Sequence, residues 1–307
     1  MIVYRELSSL EKDLECSAKA LYTLSNTVSS HYHSARIPKG NGEFRELAVP
    51  DAELKALQRR IADRILCHAA ISPYATAYRA GGSPLQNALP HVGRPVLLKL
   101  DIRHFFDKTT YYLIKEKAFP GDVFSEPNRI LLATLCSYKG CLPQGAPSSP
   151  AISNIVLRDF DNTVGDWCAE RGIRFTRYCD DLTFSGCFDP SSVKALVSAE
   201  LNKLGFYLNE KKSLVLRDGQ KKTVTGIVVN EKAGISATYK RKLRQEMFYC
   251  MKYGVAGHME ATDIRLSPEE YYRRLLGRVN YVLSVEPHNA AFRQYREWLR
   301  NHREKRI

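Results

Sequence analysis

The sequence contains eight cysteines but no C-x-x-C pair, and no Cys/His group stands at zinc spacing. That argues against the common structural zinc sites. His31 and His33 lie close together without a partner cluster, so they read as ordinary polar residues. An export signal is also missing. The opening "MIVYRELSSLEKDLEC" carries acidic residues early and has no long apolar core, so it reads as neither a signal peptide nor a membrane helix. The longest apolar runs are short strands, and no internal repeat or low-complexity linker interrupts the chain. A cytoplasmic protein with free thiols and no membrane partner is the expectation. Negative charge is scarce as well. Lys plus Arg number 46 against 33 Asp plus Glu, a net +13 with a pI near 9.3. A chain this basic usually meets a polyanion, and nucleic acid is the first candidate. The ordinary alternative is a basic surface with no specific partner. The 307 residues suffice for two or three packed units.

The order of elements reads helix, mixed α/β, then all-helical. Residues 1 to about 30 look helical and polar. "GNGEFRELAVP" (Gly40 to Pro50) reads as a turn and a short strand. Leu54, Leu57, Ile61 and Ile65 recur at helical spacing. In "RPVLLKLDI", Val96, Leu98, Leu100 and Ile102 alternate onto one strand face, with Lys99 and Asp101 on the other. Ser149 and Pro150 look like the N-cap and first position of a helix carrying Ile152, Val156, Phe160 and Val164 on one stripe. "KTVTGIVVN" reads as one strand. From about Ser236 the pattern is helical, with Tyr271, Leu275, Val279 and Val282 on one face, and it closes on the amphipathic "REWLRNHREKRI".

One stretch stands out. In "RYCDDLTFSG" (Arg177 to Gly186), Asp180 and Asp181 sit side by side at the tip of a hairpin with no obvious local cation. Paired aspartates at a turn are commonly just solvated turn residues. Asp101, at the end of an otherwise apolar strand, changes that reading. Three carboxylates converging at strand ends suit hard divalent cations, which prefer oxygen ligands. Two such ions roughly 3.5–4 Å apart can activate an attacking hydroxyl and stabilise a leaving oxygen in phosphoryl transfer.

The chain resembles a reverse transcriptase, and within that group a retron reverse transcriptase. "YCDD" (Tyr178 to Asp181) is similar to the family's Y-x-D-D box, and "LKLDIRHFF" (Leu98 to Phe106) to its first palm motif. "LPQGAPSSP" (Leu142 to Pro150) resembles the P-Q-G loop and the helix start after it, and "LGFYLNEKKS" (Leu204 to Ser213) the Gly and Lys of the fourth palm motif. "NALPH" (Asn87 to His91) and "VTG" (Val224 to Gly226) match the retron N-A-x-x-H and V-T-G elements. The resemblance runs from about Arg45 to Ser284. Y-x-D-D alone is a weak signal, whereas six elements in order are a strong one. Two departures stand. Cys179 occupies the variable box position where most retron enzymes have Ala, and "YRAGGSPLQ" (Tyr78 to Gln86) is a loose version of a fingers motif and receives no role.

The resemblance implies an α+β right-hand polymerase: fingers, a palm of antiparallel sheet with backing helices, and a helical thumb. It implies an N-terminal helical segment over 1–30, fingers over 31–95 with part of 107–150, palm over 96–235 and thumb over 236–307. It implies an RNA-directed DNA polymerase using two Mg²⁺ ions. Asp101 and Asp180 would ligate both, the Ile102 carbonyl would add a ligand, and Asp181 would sit nearer the primer-side metal or act as a nearby charge. Arg45 would reach the triphosphate, and Phe106 would lie under the sugar of the incoming dNTP and exclude a 2′-hydroxyl. Gln144 and Tyr178 would complete the nucleotide site. Lys212, with Lys211 as the alternative, would protonate the leaving pyrophosphate. A solvated lysine pair is the ordinary reading of those two, and core packing that of Phe106, a place Phe105 fits better.

Asn87, His91, Val224, Thr225, Gly226 and the thumb arginines Arg273, Arg274 and Arg278 would serve RNA binding. Residues 236–307 hold 15 Lys/Arg and 8 Asp/Glu, a net +7, which fits a surface gripping phosphates. Tyr271, Tyr272 and Trp298 could stack on bases, although their helical spacing favours core packing. The implied partners are dNTPs, a cognate structured non-coding RNA that is both template and primer, a branched RNA–DNA product, host RNase H and a separate effector protein in phage defence. Other bacterial reverse transcriptases (diversity-generating, group II-derived or abortive-infection types), a palm-fold nucleotidyl cyclase and a non-catalytic RNA-binding scaffold are the alternatives. The intact N-A-x-x-H and V-T-G elements oppose the first. The P-Q-G loop, Phe106 and the basic C-terminal helices oppose the second. The presence of all three aspartates opposes the third.

Overall fold

The structure is a computed structural model that describes residues 3–38 and 42–303. The turn expected at Gly40 and Asn41 and the final residues 304–307 lie outside the described residues. The chain divides into two compact units, Met1–Ser83 with Val96–Val215, and Pro84–Pro95 with Leu216–Ile307.

In the first unit, α1 (Leu7–Leu14) and α2 (Ala18–Asn26) bury Leu10, Leu14, Leu21 and Leu24. The antiparallel ribbon of β1 (Tyr32–Pro38) and β2 (Phe44–Pro50) is mostly exposed. Asp51 caps α3 (Ala52–Arg60) by accepting the Leu54 N–H at 3.0 Å. The helix continues as a wider turn over Ile61–Ile65, so Leu54, Leu57, Ile61 and Ile65 all reach the core as their spacing predicts. The short α4 (Pro84–Ala88) that follows belongs to the second unit.

The first unit resumes with β3 (Val96–Asp101), then α5 (Phe105–Lys108), α6 (Tyr111–Leu113) and α7 (Glu126–Leu135). After them come α8 (Ser149–Val156), α9 (Arg158–Glu170), β4 (Arg174–Tyr178), β5 (Asp181–Gly186), α10 (Pro190–Lys203) and β6 (Leu214–Leu216). The four strands form one sheet in the order β4-β5-β3-β6, with β5 antiparallel to both β4 and β3. Both faces of β3 are covered, so Leu97 and Asp101 are buried alongside the Val96, Leu98 and Leu100 stripe. Two expectations need correction. Ser148, not Ser149, stands at the N-cap of α8, because the Ser149 hydroxyl is drawn back to donate to the Pro143 carbonyl at 2.7 Å. The stripe Ile152, Val156, Phe160 and Val164 is fully buried, but it spans two helices separated at Leu157.

In the second unit, β7 (Thr223–Val224), β8 (Ile227–Val228) and β9 (Gly234–Ile235) form a small antiparallel sheet. "KTVTGIVVN" is therefore a hairpin and not one strand. Thr225 and Gly226 both adopt positive φ, 46° and 82°, the left-handed pair that a tight hairpin turn requires. Three helices follow: α11 (Ala237–Ala261), α12 (Pro268–Val285) and α13 (Ala290–Arg303). Ser267 and Glu270 form a reciprocal capping box at the start of α12. Tyr271, Tyr272, Leu275, Val279 and Val282 are buried, so the two tyrosines serve the core. Among the described residues, no helix is long and apolar enough to cross a membrane.

Candidate active site

The site is built where β3 meets the β4–β5 turn. Asp101 ends β3 directly opposite Asp181, the first residue of β5. Cys179 and Asp180 make the turn between Tyr178 and Asp181, and Cys179 holds φ at 61°. The Ile102 N–H donates to the Asp180 carbonyl at 3.0 Å, which stitches the turn to the end of β3. Asp101 is only 5% exposed. Its Oδ1 accepts from the Asn209 amide at 3.1 Å and its Oδ2 from Lys212 Nζ at 2.8 Å. Burial pushes the Asp180 carboxyl above the usual carboxylate range, and the charge of Asp101 adds to it. Burial raises Asp181 likewise, with Asp180 adding to the shift and Lys99 opposing it. The hydrogen bond to Asp101 raises Lys212. No cation adjoins the aspartates in sequence, yet the fold brings Lys99 and Lys212 to them.

Among the described residues, no three carboxylate, imidazole or thiolate groups are already gathered as a metal would draw them. Lys212 instead holds Asp101. The donor chemistry nonetheless fits divalent cations. The candidate ligands are all oxygens, the carboxyl groups raise one another's proton affinity, and a bound cation would relieve that repulsion.

A cavity of about 1090 Å³ opens over the aspartates, and Arg45, Phe106, Gln144, Tyr178 and Lys212 line it. Arg45 comes from β2. Phe105 is 2% exposed and packs on Phe206 with ring centroids 5.4 Å apart, while Phe106 is half-buried along the cavity wall. The Gln144 carbonyl accepts the Ala48 N–H at 2.8 Å, tying the P-Q-G stretch to the ribbon that carries Arg45. Gly145 permits that approach: its φ is 119°, and a Cβ there would sit 2.9 Å from the Ala48 carbonyl oxygen.

Sequence reasoning passed over three residues at this site. Arg177 and Asp161 are both fully buried and form a bidentate pair, Nε to Oδ1 at 2.7 Å and Nη2 to Oδ2 at 2.5 Å. Arg177 Nη1 also donates to the Cys179 carbonyl at 3.0 Å, which fixes the turn that presents Asp180. The available signal was register: Arg177 lies two residues after Phe175, on the same face of β4 as that core residue. Tyr78 is the third, lining the cavity beside the Cys179 thiol, which burial pushes up to about 12.

The two retron elements lie in the second unit and pack on each other. The Thr225 hydroxyl donates to the Pro84 carbonyl at 2.9 Å, and the Gly93 N–H to the Val229 carbonyl at 3.0 Å. The ammonium of Lys222, itself 3% exposed, donates to the carbonyls of Arg94 at 2.7 Å and Pro95 at 2.8 Å and to Asp218 at 2.6 Å. Asn87, His91 and Val224 are buried, so they shape this surface from within. Arg273 and Arg274 are exposed on α12, Arg273 pairing with Glu269 at 3.2 Å. Arg278 is half-buried, paired with Glu246 and placed 5.8 Å from the centre of the Tyr239 ring, so it also braces α12 on α11.

Burial, with Arg94 adding, depresses His91 to about 3. Its neutral form is favoured by the fold, so its contribution is complete above the ordinary value of 6.5 and is lost as pH falls toward 3. Thermal unfolding should therefore show an acid penalty of about 1.4 kcal/mol per pH unit below 6.5 from this residue. His91→Gln should flatten the slope between pH 6.5 and 5 relative to the parent. Parallel slopes would remove His91 as the source.

A sequence profile of the reverse transcriptase (RNA-dependent DNA polymerase) family matches residues 37–230. The retron Mx65 reverse transcriptase of Myxococcus xanthus is 32% identical over 85% of this chain, and the match spans 62% of that protein's length. The retron Ec86 reverse transcriptase of Escherichia coli is 31% identical over 92% of this chain and 90% of that protein. A solved telomerase from Candida albicans, in complex with a fragment of telomeric RNA, shares 10% identity at a TM-score of 0.46 over 88% of this chain and 66% of that one, and carries no part of the assignment. The profile match takes in the carboxylate-lined cavity and the relatives extend it across both units, so this chain belongs to the retron-type reverse transcriptases.

Proposed function

We propose that the protein copies a cognate structured non-coding RNA into single-stranded DNA, yielding a branched RNA–DNA product, and that it acts with a separate effector in phage defence while host RNase H trims the template. The observation that carries the polymerase reading is the single cavity in which Asp101, Asp180 and Asp181 face Arg45, Phe106, Gln144 and Tyr178. Asp101, Asp180, Asp181 and the Ile102 carbonyl would hold two Mg²⁺ ions, which supply activation of the attacking hydroxyl and stabilisation of the leaving oxygen. Arg45 would neutralise the triphosphate. Lys212 would leave Asp101 and donate its proton to the departing pyrophosphate. Residues 31–95 with part of 107–150 would act as fingers, 96–235 as palm and 236–307 as thumb, with 84–95 and 216–235 folding in one compact unit with the thumb helices. Arg273 and Arg274 would meet RNA phosphates, supported by the hairpin that ends in Thr225 and Gly226.

Sugar selection tests the nucleotide site. Phe106→Ala should admit ribonucleotides, because the ring that would meet a 2′-hydroxyl is gone. Phe105→Ala should instead lower stability by about 3–5 kcal/mol, since it empties a buried aromatic position. Greater ribonucleotide incorporation by the Phe105 variant would reverse the two roles.

The retron reading is tested on the purified protein's own nucleic acid. Extraction should yield a discrete DNA-containing species that migrates faster after RNase treatment, because the RNA joined to the DNA is removed. A DNA of unaltered mobility, or RNA alone, would contradict a branched product.

A further inference from the structure

The exposed aromatics of the second unit are not those that helical spacing singled out. Tyr271 and Tyr272 are buried, whereas Phe248 and Tyr253 on α11 are 57% and 58% exposed. α11 does not run straight. At Gly254 the backbone turns to φ 77° and ψ 161°, a conformation glycine adopts without strain. In an unbroken helix Tyr249 and His258 would lie about 13.5 Å apart along the axis. The break brings their rings to 5.8 Å between centroids, 9° from parallel. Tyr253 continues the ladder, 6.3 Å from Tyr249 and 16° from parallel. A cavity of about 690 Å³ opens against these rings, lined also by Lys242, Gln245, Glu246 and Gly257. Lys252 places its ammonium 4.9 Å from the centre of the Tyr253 ring.

We propose that the broken helix α11 is a nucleobase-stacking site, in which the Tyr253–Tyr249–His258 ladder takes an unpaired base of RNA and Lys242 and Lys252 attend its phosphates. The proposal rests on the RNA-copying reading and names where a single-stranded part of that RNA is held. Three nearly parallel rings end in Tyr253, 58% exposed, with the Lys252 side chain over its ring; a further flat ring stacks there, whatever its sequence, once that ammonium swings to a phosphate. The charge around the ladder selects a polyanion over an apolar protein partner. α11 carries Lys240, Arg241, Lys242, Arg244 and Lys252 against Glu246 and Glu260, and although Lys240 is paired with Glu286 at 2.7 Å, Lys242 lines the cavity and Lys252 lies at the Tyr253 ring. Of the two acids on α11, Glu246 is already bound to Arg278 and to the Tyr271 hydroxyl.

The test uses the full chain and two probes: a short oligoadenylate RNA carrying one 2-aminopurine, and a fully paired RNA duplex of the same length. The parent should bind the single strand and quench its fluorescence. Tyr253→Leu keeps an apolar side chain but removes the π face. It should weaken single-strand binding about tenfold, within the range for one lost base–aromatic stack, and abolish most of the quench. Duplex affinity and melting temperature should hold. Tyr253→Phe should bind as the parent does. Gly254→Ala, which removes no ring but strains the break, should also lose the quench. Equal loss on duplex, equal loss in Tyr253→Phe, or unchanged binding by Tyr253→Leu would each overturn the stacking site while leaving RNA binding elsewhere intact. Absence of RNA binding by the parent itself would overturn the RNA reading along with it.

Discussion

Asp180→Asn combined with Asp181→Asn is expected to abolish DNA synthesis while leaving RNA affinity close to that of the parent. The two carboxylates sit on a turn stitched to the end of β3, next to Asp101, and carry the oxygens a divalent cation would need. Burial and mutual repulsion make their charged forms unfavourable in the fold. Neutral amides remove that penalty along with the ligands. The double variant should therefore melt at the same temperature as the parent or higher when no divalent cation is present. Primer extension and a thermal melt of the same preparation check both halves. Retained polymerase activity would remove this turn from the chemistry, and a large drop in melting temperature would contradict the electrostatic account.

Arg177→Met should be the most damaging single substitution near the site. It leaves Asp161 buried without its cation, and breaking such a pair typically costs about 3–5 kcal/mol. It also removes the donor that holds the Cys179 carbonyl. These two consequences can be separated. Arg177→Met with Asp161→Leu deletes both charges, and most of the lost stability should return. Activity should not return, because the Cys179 carbonyl still lacks its partner and the turn bearing Asp180 is no longer held. Chemical denaturation measures the first effect and single-turnover extension the second. Full activity in the stable double variant would show that the ion pair serves folding alone.

Much of the site was legible because its signals are local. The alternation in β3, the hairpin flanking Asp180 and Asp181, and the pair Phe105 and Phe106 are each contained within a few residues, and the fold follows them. The helices after Ser236 were legible for the same reason, from a single buried stripe running through Tyr271, Leu275, Val279 and Val282. Contacts between distant segments were not. Arg177 meets Asp161 across a strand and a helix, and Lys212 meets Asp101 across most of the first unit. Neither residue announces its partner. The Thr225–Gly226 turn was hidden because the valines and isoleucine around it favour strand, and the turn became visible only through two positive φ values. Pro84–Pro95 reads by position with the segment before it, yet it joins the second unit. The Lys222 ammonium that grips its last carbonyls lies more than a hundred residues away in sequence. The break at Gly254 was likewise lost within a helical pattern that continues on both sides of it.

Templated synthesis by the unmodified protein tests the polymerase site most directly. With a supplied primer annealed to a generic RNA template, Mg²⁺ and the four dNTPs, the protein should extend the primer to the end of the template. Product should require the RNA and the dNTPs, and ribonucleotides should substitute poorly. No extension under these conditions, or extension equally efficient with ribonucleotides, would contradict the claim that this cavity is an RNA-directed DNA polymerase site.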